Sequence, residues 1–354
     1  MFYREAGQFK TSYAADQAVF PIAQDRIAIA IILTVAFVVV PLFAGEYMLR
    51  AILIPFLVLS LAALGLNLLV GYCGQVSLGT AGFMAVGAYA AYNLSIRIPG
   101  LNLIVVFLLS GGIAALVGIV FGIPSLRIKG FYLAVATLAA QFFLDWLFIR
   151  VQWFTNYTPS GSVSAPPLAM FGYPIESPAQ KYLFVLAIVV VFALVARNLV
   201  RGAIGRSWMA IRDMDVAAEV IGIRPLAAKL TAFAVSSFFV GIAGALWAFV
   251  YLGSWEPLAF DVNRSFQLLF MVIIGGLGSI LGSFLGAAFI VILPLVLNQL
   301  PTAMGIPLST AAISHIEVMV FGALIVFFLI VEPHGLARLW AIGKEKLRLW
   351  PFPH

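Results

Sequence analysis

The sequence predicts an all-α fold, a polytopic transmembrane helical bundle of about eight to ten spans. Three observations carry this. Hydrophobic residues fill 63% of the 354 positions and charged residues only 10%, where a soluble domain carries about a quarter. Mean hydropathy is +1.10. Uncharged apolar runs such as 27–44 and 51–70 approach the ~20 residues that cross a bilayer as a helix. A transmembrane β-barrel would show short alternating segments instead.

Taken in order, the spans are justified as follows. Residues 1–26 are mixed and polar, and the run 27–44 is followed at once by 51–70. That succession argues for a retained first helix over a cleaved leader. A glycine-rich zone from Gly71 to Gly87, GYCGQVSLGTAGFMAVG, leads into the short run 81–96. The runs 101–123 and 131–148 are separated by Arg127 and Lys129. A long segment, 150–181, holds Pro159, Pro166, Pro167 and Pro174 among Ser and Gly and reads as an irregular external cap. The run 182–196 precedes a second long segment, 197–229, and then 230–252. The runs 266–280 and 284–297 flank a second glycine-rich zone, GGLGSILGSFLG from Gly275 to Gly286, and 316–331 is the last. Runs 81–96, 266–280 and 284–297 are short enough to be re-entrant or broken. A basic tail, 336–354, follows the 27–335 membrane region.

The positive-inside rule orients the chain. With the N-terminus in the cytoplasm and ten alternating spans, inside segments hold fifteen Lys and Arg residues and outside segments five, namely Arg50, Arg97, Arg150, Lys181 and Arg264. Both termini and 197–229 are therefore expected on the cytoplasmic side. The net charge of +6 reports those loops rather than a nucleic-acid surface.

Several chemistries lack a signal. No G-x-x-x-x-G-K-[ST] phosphate loop occurs. His315, His334 and His354 are dispersed, so no metal-ligand cluster and no cofactor is expected in this chain. The single cysteine, Cys73, allows no internal disulfide. Asp145, late in its run, and Glu317, at the start of the last, read as interfacial acids or as functional intramembrane groups. An intramembrane enzyme using a polar pair such as Gln141 and Asp145 has no other support.

Two features remain. Gly278, Gly282 and Gly286 recur every fourth residue, which reads as close helix packing on one face. The alternative is broken helices whose free backbone groups line a path near the midplane. Gln75, Ser77 and Thr80 are polar groups at the first glycine-rich zone and favour the path there. The pathway candidates are Asn67, Gly74, Gln75, Ser77, Thr80, Gly275, Gly276 and Gly278. The second feature is a charged island, GRSWMAIRDMDVAAEVIGIR from Gly205. Ile211, Met214, Ala218 and Ile221 follow helical spacing as an apolar stripe beside Arg212, Asp215 and Glu219. Asp213 or Asp215 could cap a second short helix ending at Gly222, and Pro225 blocks continuation. Such a piece could lie on lipid, be a solvated loop, or dock into a partner's groove.

Four stretches resemble the LivM-type family, the inner-membrane permease subunits of ATP-binding cassette importers for branched-chain amino acids. They are ALGLNLLVGYCGQVSLGTAGFMAVGAYAA from Ala63, LRIKGFYLAVATLA from Leu126, the island from Gly205, and IIGGLGSILGSFLGAA from Ile273. Where many relatives read S-L-G-H, this chain reads Ser77-Leu78-Gly79-Thr80. The resemblance implies that the island is a coupling segment fitting a cleft in an ATPase subunit, with Arg206, Arg212, Asp213, Asp215, Ala217, Ala218, Glu219 and Gly222 at that contact. It also implies partners: two ATP-binding subunits that hold the ATP, a second related permease and an external solute-binding protein. The implied location is a bacterial cytoplasmic membrane. Relatives also serve urea, short amides and aromatic carboxylates, so the solute stays open. A self-sufficient channel or secondary carrier is the rival of another class.

Overall fold

A computed structural model describes residues 11–12, 23–125, 131–158, 160–170, 172–303, 310–331 and 334–349. Nine of the ten apolar runs lie essentially on one helix each, and 266–280 crosses from one helix to the next. In order these are α1 (23–43), α2 (Met48–Tyr72), α3 (Thr80–Arg97), α4 (Leu103–Ser125), α5 (Phe131–Arg150) and α6 (Pro178–Arg201), and then, after the island helix α7 (Ala203–Val220), α8 (Pro225–Leu252), α9 (Val262–Gly275), α10 (Ile280–Ala303) and α11 (Thr310–Val331). The basic tail forms a further helix, α12 (Gly335–Leu349). Eight of the described helices are long and apolar enough to cross a bilayer. The chain is thus a multi-pass helical membrane protein.

Helices α2 and α8 form the centre, each 83% buried over its most apolar window, whereas the α1 window is 0% buried. Lipid tails offer no hydrophobic reward for helix association, so close packing must supply it. Glycine makes that possible between α3 and α8. A Cβ at Gly87 would strike the Gly241 carbonyl, and one at Gly244 would strike the Met84 carbonyl. The two backbones therefore touch directly. Helix α4 joins the same way, with Gly111 against Ile242 and Gly118 against Ser237.

The segment between α5 and α6 carries two short strand pairs among its described residues. Strand β1 (Val163–Ser164) pairs antiparallel with β4 (Ser254–Trp255), which ties the cap to the loop after α8. Strand β2 (Ala169–Met170) pairs with β3 (Tyr173–Pro174). Ser177 then starts α6 with a capping box, its side chain accepting from the Gln180 N–H while Gln180 reaches back. Arg97 at the end of α3 stacks over Trp153 at 4.1 Å and donates to its carbonyl.

The run 266–280 is broken, one of the outcomes its shortness allowed: α9 stops at Gly275 and α10 begins at Ile280, because Gly276 and Gly278 take φ of +119° and +73°. Three expectations need correction. Gly278 therefore does not share a helix face with Gly282 and Gly286. Those two do pack closely, against the Gly275 and Met271 carbonyls of α9. The apolar stripe on the island is also broken. Met214 is extended (φ −161°, ψ 99°), so α7 is two helices in tandem. Ile211 and Ala218 are buried at 5% and 2% exposure, but Met214 and Ile221 stand out at 64% and 74%. The residue between the two helices is Met214, not either aspartate.

Candidate coupling site and paired helix breaks

The first break, 73–79, separates α2 from α3. Helix α2 ends in a widened π-type turn, Leu68–Tyr72, and Gly74 turns the chain out at φ +71°. Its N–H bonds to the Val70 carbonyl at 3.1 Å, and the Gln75 N–H to the Leu69 carbonyl at 3.1 Å. The start of α3 leaves amide donors that need partners. Side chains from other spans supply them. The Leu78 N–H donates to Thr137 Oγ1 at 2.9 Å, the Ala81 N–H to Ser265 Oγ at 2.8 Å, and the Gly82 N–H to Gln141 Oε1.

Gln141 is the hub of this set. Its Nε2 donates to the Phe260 carbonyl at 2.8 Å and to Asp145 Oδ1 at 2.9 Å, and its Oε1 also accepts from Ser265 Oγ at 3.1 Å. Its bonds to Gly82, Phe260 and Ser265 join neighbouring elements, and the bond to Asp145 lies within α5, so Gln141 is part of the scaffold. Two buried oxygens at the break, Gln75 Oε1 and Thr80 Oγ1, have no hydrogen-bond partner among the described residues. Orphaned buried polar atoms cost about 1–3 kcal/mol each. Ser77 is buried beside them in sequence. Glu317 lies on α11, with its side chain outside the described residues.

The second break, 276–279, lies against the first. Asn67 on α2 is fully buried and joins them. Its Nδ2 donates to the Ser279 carbonyl at 2.8 Å and to Ser283 Oγ at 2.9 Å, and its Oδ1 accepts from the Gly278 N–H at 2.9 Å. One amide side chain thus satisfies donors and acceptors that the break frees. Gly71 must lack a side chain, since a Cβ there would collide with Asn67 Oδ1 and the Gly278 amide.

The island meets both breaks through Arg212. Its Nη1 donates to the Gly71 carbonyl at 2.9 Å, and its Nε holds Asp213 Oδ1 at 2.9 Å. Its aliphatic stem lies over Gly74, and its Nη1 sits 3.3 Å from where a Gly278 Cβ would be. Helix α7 connects two spans outside the bundle, so this contact puts both breaks at the α7 end.

The other island residues divide by direction. Trp208, fully buried, donates from Nε1 to Thr231 Oγ1 at 3.1 Å and anchors α7 on α8. Sequence reasoning missed it, although it stands three residues before Ile211 and so on the same face. Arg206 donates to the Arg201 carbonyl at 3.0 Å and closes the end of α6. Ala218 faces inward. Asp213, Ala217, Glu219 and Gly222 are exposed, and Asp215 is half-buried. Around them stand Met214, Val216, Val220 and Ile221, all 64–83% exposed. Gly222 ends the helix in a Schellman turn at φ +90°, with the Ile223 N–H on the Ala218 carbonyl and its own on Glu219. The result is a rigidly rooted knob with an apolar and acidic tip.

The comparisons fit this architecture. Residues 48–329 match the family model for "Branched-chain amino acid transport system / permease component". The chain is 30% identical over 296 residues to the high-affinity branched-chain amino acid transport system permease protein LivM of Escherichia coli K12, which covers 77% of this chain and 66% of that protein. The Salmonella typhimurium LivM is 29% identical over the same shares. A probable LivM permease of Methanocaldococcus jannaschii is 25% identical, covering 66% of this chain and 68% of its own length. The chain thus spans just under two thirds of the two enterobacterial relatives. No solved structure matches it. On the family match across most of its length, the chain belongs to the branched-chain amino acid transport system permease component family.

Proposed function

We propose that this chain is the membrane-spanning permease subunit of an ATP-binding cassette importer that moves branched-chain or related amino acids. Two ATP-binding subunits hold and hydrolyse the ATP. A second related permease completes the pathway, and an external binding protein delivers the solute. The chain performs no covalent chemistry. It sits in a bacterial cytoplasmic membrane with both termini, α7 and the two breaks on the cytoplasmic side.

The observation that carries this reading is the rooted knob. Apolar side chains exposed at 64–83% on one short helix are a poor surface for water and a good anchor set for a partner's groove. The knob is also joined, through Trp208 and Arg212, to α8 and to both glycine breaks. A push on the tip therefore reaches the places where the spans bend. Gln75, Ser77 and Thr80, with Asn67 behind them, are the groups we assign to the cytoplasmic end of the path.

The test is purification from native membranes in mild detergent, followed by mass spectrometry and uptake in liposomes. An ATPase pair, a second permease and a binding protein should accompany the chain, and uptake should need ATP. Screening the binding protein with leucine, isoleucine, valine, urea and aromatic acids names the solute. A chain that emerges alone and moves solute without ATP is a channel or carrier instead.

A further inference from the structure

Helix α12 lies apart from the island, and it is fixed at two points. At its start, Gly335 has φ +67° and presses on the second break: a Cβ there would lie 2.6 Å from the Ile274 carbonyl oxygen and the Gly276 amide. Nine residues on, Lys344 Nζ donates to Asp25 Oδ1 at 3.2 Å. Asp25 is the first residue of the α1 span, Asp25–Phe43. Nine residues of helix cover roughly 13 Å. One anchor is a helix break at the α7 end and the other is the point where α1 enters the bilayer. A helix held between them runs along the membrane boundary, not away from it.

Its composition suits that place. Leu339 and Trp340 are 49% and 61% exposed, on the same flank of the helix. Lys346 stands exposed at one edge of that flank and Lys344, bonded to Asp25, at its other edge, whereas Arg338 lies with Glu345 and Ala341 on the opposite flank. An apolar face edged by basic residues is the pattern of a helix lying in the interface, and tryptophan concentrates at that depth. The neighbouring α1 window is 0% buried, so lipid is what surrounds this corner of the bundle. We propose that α12 lies on an anionic lipid surface, with Leu339 and Trp340 at the acyl boundary and Lys346 on lipid phosphate. Because Gly335 rests on the second break, membrane charge then bears on that break. Only the choice of the cytoplasmic leaflet rests on the orientation proposed above.

The native Cys73 is 2% exposed, so the Cys73→Ser, Leu339→Cys chain can be labelled at one site with an environment-sensitive fluorophore. In nanodiscs the label should emit to the blue and be quenched by brominated lipid, more with phosphatidylglycerol than with phosphatidylcholine alone. High salt, or Lys346→Glu, should weaken the effect, each charge being worth roughly fivefold near an anionic surface. A label at Ala341, exposed on the other flank, should stay water-like. If the paired cysteine variant fails to fold, bromolipid quenching of the wild type against Trp340→Phe gives the same reading. Water-like emission in every lipid overturns the proposal. So does shielding that arises only when the co-purifying subunits are added, since the face is then a protein interface. Neither readout needs transport, so failure here leaves the importer reading standing.

Discussion

Asn67 shows how one side chain holds two broken helices together. It makes three hydrogen bonds across 211 to 216 residues of sequence, all in a buried site. Hydrogen bonds between spans are worth about 0.6 kcal/mol on average and up to ~1.7, while each orphaned partner costs about 1–3. Asn67→Leu should therefore lower stability by about 2–4 kcal/mol, measured by unfolding in mixed detergent micelles, with Asn67→Asp in between. A loss below ~0.5 kcal/mol would mean that the breaks hold without it. Gly222 tests a different cause. Nothing lies within 4 Å of a Cβ there, so only its φ of +90° demands glycine. Gly222→Ala should cost about 1–2 kcal/mol locally and impair coupling, whereas Gly222→Asn, which tolerates that region, should cost less. Equal effects of the two on uptake per ATP hydrolysed would refute a backbone origin.

The helices differ in how far the sequence exposed them. Runs of uncharged residues located the spans because the bilayer demands length and apolarity of each one separately. Their bends were harder, because a bend is set by two partners at once. Gly278, Gly282 and Gly286 look alike as a four-residue repeat. Only the close approach of α9 to α10 separates Gly278, at positive φ, from the two that pack. Likewise Met214 carries no sequence sign that it will be extended. The kink at that one residue breaks the expected stripe: Ile211 and Ala218 are buried on either side of it, while Met214 and Ile221 are exposed. Gln141 was legible only as half of an acid–amide pair, since its partners Gly82, Phe260 and Ser265 come from distant segments. The split makes a prediction for α7. Val220→Asp with Ile221→Asp should leave the fold intact and abolish co-purification of the ATP-binding subunits. Trp208→Ala should unfold or misplace α7 and lower thermal stability, at a cost of about 3–5 kcal/mol for a buried tryptophan. Retained co-purification with the tip doubly charged would deny the knob its docking role.

Across the whole molecule, α7, α12 and the two glycine breaks gather at one end, and the β1–β4 cap closes the other. The packed centre between them is glycine-lined and backbone-to-backbone, which suits rigid-body movement of α3 and α8 as a unit. On the proposed function, motion started at the tip reaches the breaks through the Arg212 bond to the Gly71 carbonyl, beside which Asn67 holds Gly278. The side-chain pair of Arg212 with Asp213 is half exposed and contributes little, so the bond to Gly71 is the part that matters. The direct measurement is the ratio of solute taken up to ATP hydrolysed for Arg212→Gln in the assembled transporter, beside Asp213→Asn. Transmission through Arg212 predicts full assembly, retained ATP hydrolysis and a fall of about tenfold or more in that ratio for Arg212→Gln, with Asp213→Asn near wild type. A normal ratio in the assembled Arg212→Gln transporter would contradict it.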